Sequence, residues 1–147
     1  MAGRILSEAR RQALVEALHK AELRVTPARV AVLDAVRQAE APLTHAELAR
    51  QLAGCGWDAT TIYRNLMTIT EAGLVQRKDH GDRRWRFESA REGHAHPHFI
   101  CTDCGTVSCL PEVEIKVKRS SRGLPRSASA GAFEIQLRGV CDSCADG

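Results

Sequence analysis

The chain has 147 residues, a formal net charge of +3 and 44% hydrophobic residues, which is enough for one ordinary domain or two small ones. No stretch approaches the roughly 18 apolar residues of a membrane span, and residues 1–4 carry no sign of a secretion signal. We therefore expect a cytoplasmic protein with no membrane partner, in which cysteines serve as metal ligands rather than forming disulfides.

The first part of the chain predicts two helices. The spacing of apolar residues predicts a helix over residues 7–19. Thr26, followed by Pro27 at the first helical position, predicts a second helix that ends near residue 38.

A third and a fourth helix are indicated by their capping residues. Thr44 and Glu47 form the capping box of the third helix. Asp58 is placed to cap the fourth, which we expect to end near residue 72 because Gly73 favours a helix C-terminus.

The fourth predicted helix is amphipathic, with Ile62, Leu66 and Ile69 on the side expected to pack inward. The opposite side carries Thr60, Tyr63, Arg64 and Met67. A face of small polar groups with one arginine and one tyrosine suits the major groove of DNA. The alternative interpretation is an ordinary solvated helix surface.

A β-hairpin is predicted after the helices, over residues 74–87. In its second strand Trp85 and Phe87 alternate with Arg84 and Arg86. We therefore expect the aromatic rings to face inward and the guanidiniums to face DNA phosphates. Helices followed by a basic hairpin predict a winged helix-turn-helix domain, whose partner is double-stranded DNA.

The charge distribution agrees with a DNA-binding N-terminal half. Residues 1–88 contain 14 Lys and Arg against 11 Asp and Glu, whereas residues 89–147 contain seven of each kind. A basic excess on one part of a chain is typical of a surface that meets nucleic acid. We place a DNA-binding domain at residues 1–88, a hinge at 89–93 and a second domain at 94–147.

Two Cys-x-x-Cys pairs lie in the second domain, Cys101 with Cys104 and Cys141 with Cys144. Each pair presents two thiolates from one tight turn, and two such pairs are the signature of a tetrahedral Cys₄ zinc site. The pairs are separated by 36 residues, so a small subdomain must fold between them. The sequence therefore predicts an α+β protein, in which a small α/β domain with a structural zinc ion follows the winged helix-turn-helix.

The same pairs would also suit a thiol–disulfide oxidoreductase, which is the main alternative class of function. That interpretation requires one pair to open a helix behind a strand. Here Gly105 directly follows the first pair and both pairs follow predicted strands. This favours zinc knuckles, in a protein that is not an enzyme.

Several motifs occur together and in a fixed order: ATTIYRNL at residues 59–66, EAGLV at 71–75, HxHxxCxxCG at 96–105 and a final CxxC at 141–144. With this arrangement the chain resembles the ferric uptake regulator family over about residues 24–144. The resemblance implies a cytoplasmic homodimeric repressor of metal-homeostasis genes. It also implies that the second domain dimerises around one structural zinc ion and that a second metal ion is the signal.

The resemblance implies the ligands of both ions. The structural ion is expected on the four knuckle cysteines, and the sensing ion on residues from both domains. The sensing ligands implied are Glu88, His96, His98 and position 109, with a histidine just before the third helix. The nearest histidine here is His45, three residues beyond the family's position. We expect His45 to complete the site; the alternative is an exposed residue at the start of a helix.

Cys109 stands where the family has a carboxylate. One thiolate among imidazoles favours Zn²⁺ over Fe²⁺ or Mn²⁺, which prefer oxygen-rich ligand sets. We therefore expect the sensing metal to be Zn²⁺, with Fe²⁺ and Mn²⁺ as alternatives. Two other interpretations stay open: an iron or peroxide sensor of the same family, and a DNA-binding protein with structural zinc only, in which Cys109 is a buried structural residue.

Overall fold

The computed structural model describes residues 6–90, 96–110, 112–116 and 135–147. The chain divides into two compact units, Met1–Arg91 and Glu92–Gly147. The sequence predicts a hinge at residues 89–93, of which residues 91–93 lie outside the described residues. No helix in the described part of the chain has the length and hydrophobicity needed to cross a membrane.

The first unit combines helices with a small sheet. Its described elements are α1 (Glu8–Lys20), α2 (Pro27–Gln38), β1 (Leu43–Thr44), α3 (His45–Gln51), α4 (Ala59–Glu71), β2 (Val75–Asp79) and β3 (Trp85–Ser89), with a 3-10 turn at Ala53–Cys55. Each predicted helix is present. The ends of α1, α2 and α4 lie within two residues of those predicted, whereas α3 ends at Gln51, ahead of the glycines at 54 and 56 that were expected to end it. The hairpin strands lie one or two residues further along the chain than predicted.

Side-chain caps explain where these helices begin. The Thr44 hydroxyl accepts a hydrogen bond from the Glu47 amide, and the Glu47 carboxylate accepts one from the Thr44 amide at 2.7 Å. The Asp58 carboxylate accepts a hydrogen bond from the Thr61 amide, also at 2.7 Å. Such caps satisfy amides that have no partner inside the helix, so these starts were readable from the sequence.

The sheet of the first unit has the strand order β1-β3-β2, and both pairings are antiparallel. The two-residue β1 escaped the sequence analysis because it is too short to show an alternating pattern. It pairs Leu43 with Phe87 and forms one edge of the sheet. The core joins this sheet to the apolar helix faces and includes Leu14, Leu18, Leu33, Val36, Leu48, Ile62, Leu66, Ile69, Val75 and Phe87.

The second unit is built on a smaller sheet. Its described elements are β4 (His98–Cys101), β5 (Val107–Cys109), β6 (Gln136–Gly139) and the short helix α5 (Asp142–Ala145). The strand order is β5-β4-β6, with β4 antiparallel to β5 and parallel to β6. A Cβ at Gly139 would lie 3.3 Å from the Phe99 ring, so a glycine lets β6 approach β4 beside that ring.

Candidate metal centres and DNA-binding surface

Four cysteines converge in the second unit. Cys101 ends β4, and Cys104 lies in the following turn, which Gly105 continues with a φ of 73°. Cys141 is the N-cap of α5, and Cys144 lies within that helix. The four Sγ atoms lie within 4.8 Å of one another. The sheet therefore brings both Cys-x-x-Cys pairs to one point.

The spacing of these sulfurs fits a zinc ion. The Sγ atoms of Cys104 and Cys141 are 3.8 Å apart. Sulfurs bound tetrahedrally at about 2.3 Å from zinc stand about 3.8 Å from one another. Cys141 and Cys144 do lie at the start of a short helix that follows a strand, which is the arrangement that a thiol–disulfide oxidoreductase would require. Its sulfurs nevertheless meet those of the first pair, as a shared metal requires.

Backbone amides are directed at the sulfur of Cys101. The amides of Cys104 and Cys141 lie 3.5 and 3.4 Å from it, and these hydrogen bonds lower the pKa of Cys101 to about 6. The neighbouring thiols of Cys141 and Cys104 raise the pKa of Cys144 to about 12. Because zinc binds thiolates, its binding to this cluster should release protons.

Thr106 supports this cluster and was not identified from the sequence. Its hydroxyl oxygen lies 3.1 Å from the Cys104 Sγ, and this contact lowers the pKa of Cys104. Its position could have indicated this role, because Thr106 stands two residues after Cys104, where the chain turns back into β5. Groups that hydrogen-bond a metal ligand hold it in the orientation that binding needs.

A second set of side chains that could hold a metal ion lies on β4 and β5 and just before β4. His98, which begins β4, stands directly opposite Cys109 of β5. The ring centroids of His96 and His98 are 4.8 Å apart, and His98 is completely buried. The ligand atoms of His96, His98 and Cys109 lie within 4.8 Å of one another. Two imidazoles and one thiol are thus held together, a donor set that suits Zn²⁺ and leaves room for further ligands.

Glu88, the carboxylate that the family resemblance implies, belongs to the first unit. It lies on β3, is 9% exposed, and has its Oε1 2.7 Å from the Lys78 Nζ. Lys78 was not identified from the sequence. Because Gln76 is the direct partner of Glu88, Lys78 reaches the carboxylate from a diagonal position that only the strand register defines.

The His45 ring makes its contacts within the first unit. Its Nε2 lies 3.0 Å from the carbonyl oxygen of Ala59, and its ring meets that of Tyr63 edge-on, with 5.1 Å between centroids. Both partners belong to α4. The ring of His45 therefore supports the start of α4, and its role as a metal ligand stays a prediction that rests on the resemblance.

The outward face of α4 is the one that the helical pattern predicts. Ile62, Leu66 and Ile69 are buried, while Thr60, Tyr63 and Arg64 are exposed. At the start of the helix, hydrogen bonds from the hydroxyl and amide of Thr61 hold the pKa of the capping residue Asp58 below its ordinary value. The cap is consequently a carboxylate at neutral pH, which favours the helix N-terminus.

The hairpin corrects the prediction for two of its residues. Trp85 is 53% exposed and Arg86 only 8%, so the expected inward ring and outward guanidinium are both wrong. Trp85 does share a sheet face with the buried Phe87, but Trp85 lies at the end of β3 where the core no longer covers that face. The Arg86 guanidinium binds Asp82 at 2.8 Å. Arg84, just before β3, is exposed as predicted.

Comparison with known proteins agrees with this architecture. The ferric uptake regulation protein of Shigella flexneri is 30% identical over 128 residues, which are 85% of this chain and 86% of that protein. The peroxide operon regulator of Bacillus subtilis (strain 168) is 26% identical over 132 residues, 88% of this chain and 90% of that protein. The crystal structure of the Vibrio cholerae ferric uptake regulator superposes with a TM-score of 0.64 at 27% identity, covering 86% of this chain and 98% of that one.

A family model covers most of the chain. The model described as the ferric uptake regulator family matches residues 20–128. The predictions of family, of an α+β fold with a Cys₄ cluster and of a regulator rather than an enzyme are thereby confirmed. On its sequence, its fold and its paired metal-binding clusters, the chain belongs to the ferric uptake regulator family of metal-responsive, DNA-binding transcriptional regulators.

Proposed function

We propose that this protein is a zinc-responsive repressor that binds its operator as a homodimer in the cytoplasm. The observation that carries the choice of metal is the placement of Cys109 opposite His98, with His96 beside it. A thiolate with two imidazoles binds Zn²⁺ more readily than it binds Fe²⁺ or Mn²⁺.

The two clusters are proposed to have different tasks. The Cys₄ cluster holds a structural zinc ion that stabilises the second unit. His96, His98 and Cys109 are the core of the sensing site, joined through the family resemblance by Glu88 and His45 of the first unit. The ligands in this proposal are three imidazoles, one thiolate and one carboxylate, and a bound ion would link those of the two units.

The DNA contacts are assigned to the exposed side of α4 and to the wing, which is the hairpin of β2 and β3. Thr60, Tyr63 and Arg64 are proposed to meet base edges in the major groove, and Arg84 a phosphate. Arg86 was predicted in the same role. Its burial and its ion pair with Asp82 instead favour a role in shaping the turn between the two strands.

The assignment predicts different effects for two arginines. Arg64→Ala should weaken operator binding by about 1–3 kcal/mol and relax the preference at one base pair, because a bidentate contact to a base is lost. Arg84→Ala should weaken binding to all duplexes alike and lower the dependence of log K on log salt by about 0.9. Fluorescence anisotropy at several salt concentrations measures both. An unchanged base preference in Arg64→Ala would remove α4 from the interface.

The choice of metal is tested by an anaerobic titration. Protein that already carries its structural zinc is titrated with Zn²⁺, Fe²⁺ and Mn²⁺ while operator binding is followed. Zn²⁺ should promote binding at the lowest free concentration. Cys109→Asp should keep the site but shift the preference toward Fe²⁺ or Mn²⁺, because a carboxylate replaces the soft ligand. An identical order of metals in wild type and variant would exclude Cys109 as a ligand.

The pair of histidines also supports a second candidate, a peroxide sensor. Imidazoles bound to Fe²⁺ are open to oxidation, and the sequence is similar to that of the Bacillus subtilis peroxide operon regulator. This function requires that Fe²⁺ promotes operator binding and that hydrogen peroxide then abolishes it irreversibly. The titration above therefore separates the two candidates when peroxide is added at its end point.

A further inference from the structure

The first unit contains a groove between α4 and the wing that the proposed contacts leave unexplained. The groove encloses about 530 Å³. We call it the helix–wing groove. It is lined by residues at the start of α3, on α4 and on the wing, namely Thr44, His45, Ala46, Tyr63, Met67, Arg77, Arg84, Trp85 and Phe87. Its floor is apolar, because Phe87 is 3% exposed and belongs to the core.

Trp85 is the unusual member of this groove. Its indole is 53% exposed, although a ring of this size normally packs inward or meets a partner. The guanidinium of Arg77 lies 4.2 Å from the centroid of the ring. Asp79 is the direct cross-strand partner of Trp85, and Arg77 is the diagonal neighbour on the same face. An aromatic plane and a positive charge are thus presented together to solvent.

The charge of the groove points to an anionic partner. Arg77 and Arg84 line it, and no carboxylate is among its described lining residues. Of the two carboxylates near the wing turn, Asp82 binds the Arg86 guanidinium. Asp79, opposite Trp85, accepts a hydrogen bond from the Gly81 amide and is a single negative charge beside two guanidiniums. A groove with an apolar floor, an exposed ring and two guanidiniums matches a deoxyribose with its flanking phosphates.

We propose that the helix–wing groove receives one strand of the DNA backbone, the strand that borders the major groove occupied by α4. Trp85 packs against a deoxyribose, and Arg77 and Arg84 pair with the phosphates on either side. This inference rests on the proposal that α4 faces DNA. It adds Arg77 and Trp85 to the interface as residues that hold the wing at a fixed register without reading base identity.

Fluorescence gives a direct test, since the chain has two tryptophans. In a Trp57→Phe background Trp85 is the only indole. The probe is an operator duplex selected from a random pool with zinc-loaded wild-type protein. Saturation with this duplex should change the emission of Trp85 and protect it from acrylamide. Unchanged emission and unchanged acrylamide quenching at saturation would mean that the groove stays empty in the complex.

Affinity variants supply the second test. Trp85→Ala should weaken binding to operator and to random duplex alike, on the order of ten-fold, while Trp85→Phe retains most of the affinity. Arg77→Gln should reduce the slope of log K against log salt by about 0.9. The matched control is Arg83→Gln, an exposed arginine of the same wing that does not line the groove. An equal loss of affinity in this control would show that only the positive charge of the wing matters, whether or not it lies in the groove. That result would overturn the proposal.

Arg64→Ala, measured in parallel, separates this inference from the function on which it rests. If Arg64→Ala loses base preference while Trp85→Ala and Arg77→Gln bind normally, only the groove assignment is wrong. If all three bind normally, the placement of α4 on DNA is wrong as well. Because Trp85 and Arg77 are exposed, their substitution should leave the melting temperature and zinc content unchanged.

Discussion

Cys141→Ser should lose its structural zinc ion, and its second unit should unfold. A structural zinc ion contributes on the order of 10 kcal/mol in small domains, which is comparable to the total stability of an ordinary domain at about 5–15 kcal/mol. The sheet of the second unit is small, and Cys141 joins its last strand to α5. Metal analysis, circular dichroism and sedimentation should therefore show the loss of zinc, structure and dimer together.

Cys55→Ser is the matched control for this experiment. Cys55 is an exposed thiol in the 3-10 turn of the first unit and belongs to neither metal-binding cluster of the described residues. Its replacement should change neither the zinc content nor the dimer. A Cys141→Ser protein that kept a full complement of zinc and stayed dimeric would show that the four cysteines do not form the structural site.

His98→Ala should keep the Cys₄ zinc and the dimer yet lose metal-dependent DNA binding. His98 is the buried centre of the proposed sensing site, between His96 and Cys109. In the proposed dimer, an ion held by ligands from both units would restrict the positions that the two copies of α4 can take. DNA is sensitive to that restriction because half-sites recur about one helical turn apart. A coupling of this kind is typically about 1–3 kcal/mol, or a change in affinity of about 5- to 150-fold.

Operator binding with and without added Zn²⁺ measures this coupling. Because His98 is fully buried, truncation leaves a cavity, so His98→Gln is the second variant and retains most of the side-chain volume. His19→Ala, at an exposed position on α1, is the control and should respond to Zn²⁺ like the wild type. If His98→Gln folds, stays dimeric and still responds to Zn²⁺ as the wild type does, the sensing site lies elsewhere in the protein.

The helices and the zinc knuckles could be predicted from the sequence because they depend on residues close together in the chain. The helices were predicted well because a cap such as Thr44 or Asp58 acts within three residues of itself. The inward face of α4 followed from the helical repeat, which the core then confirmed. The Cys-x-x-Cys pairs indicated the zinc knuckles, because two cysteines in one tight turn need no distant partner to approach each other.

The features that the sequence did not predict depend on contacts between residues far apart in the chain. The sequence could indicate that Trp85 and Phe87 share a face, but only the packing of the helices shows that the core ends before Trp85. The register of β2 against β3 brings Lys78 to Glu88, and the register of β4 against β5 brings Cys109 to His98. A register depends on turn geometry and on what covers each face of the sheet. The residue types of the proposed sensing site were therefore set by the sequence. The approach of His96, His98 and Cys109 to one another at β4 and β5, and the exposure of the wing, were set by the tertiary structure.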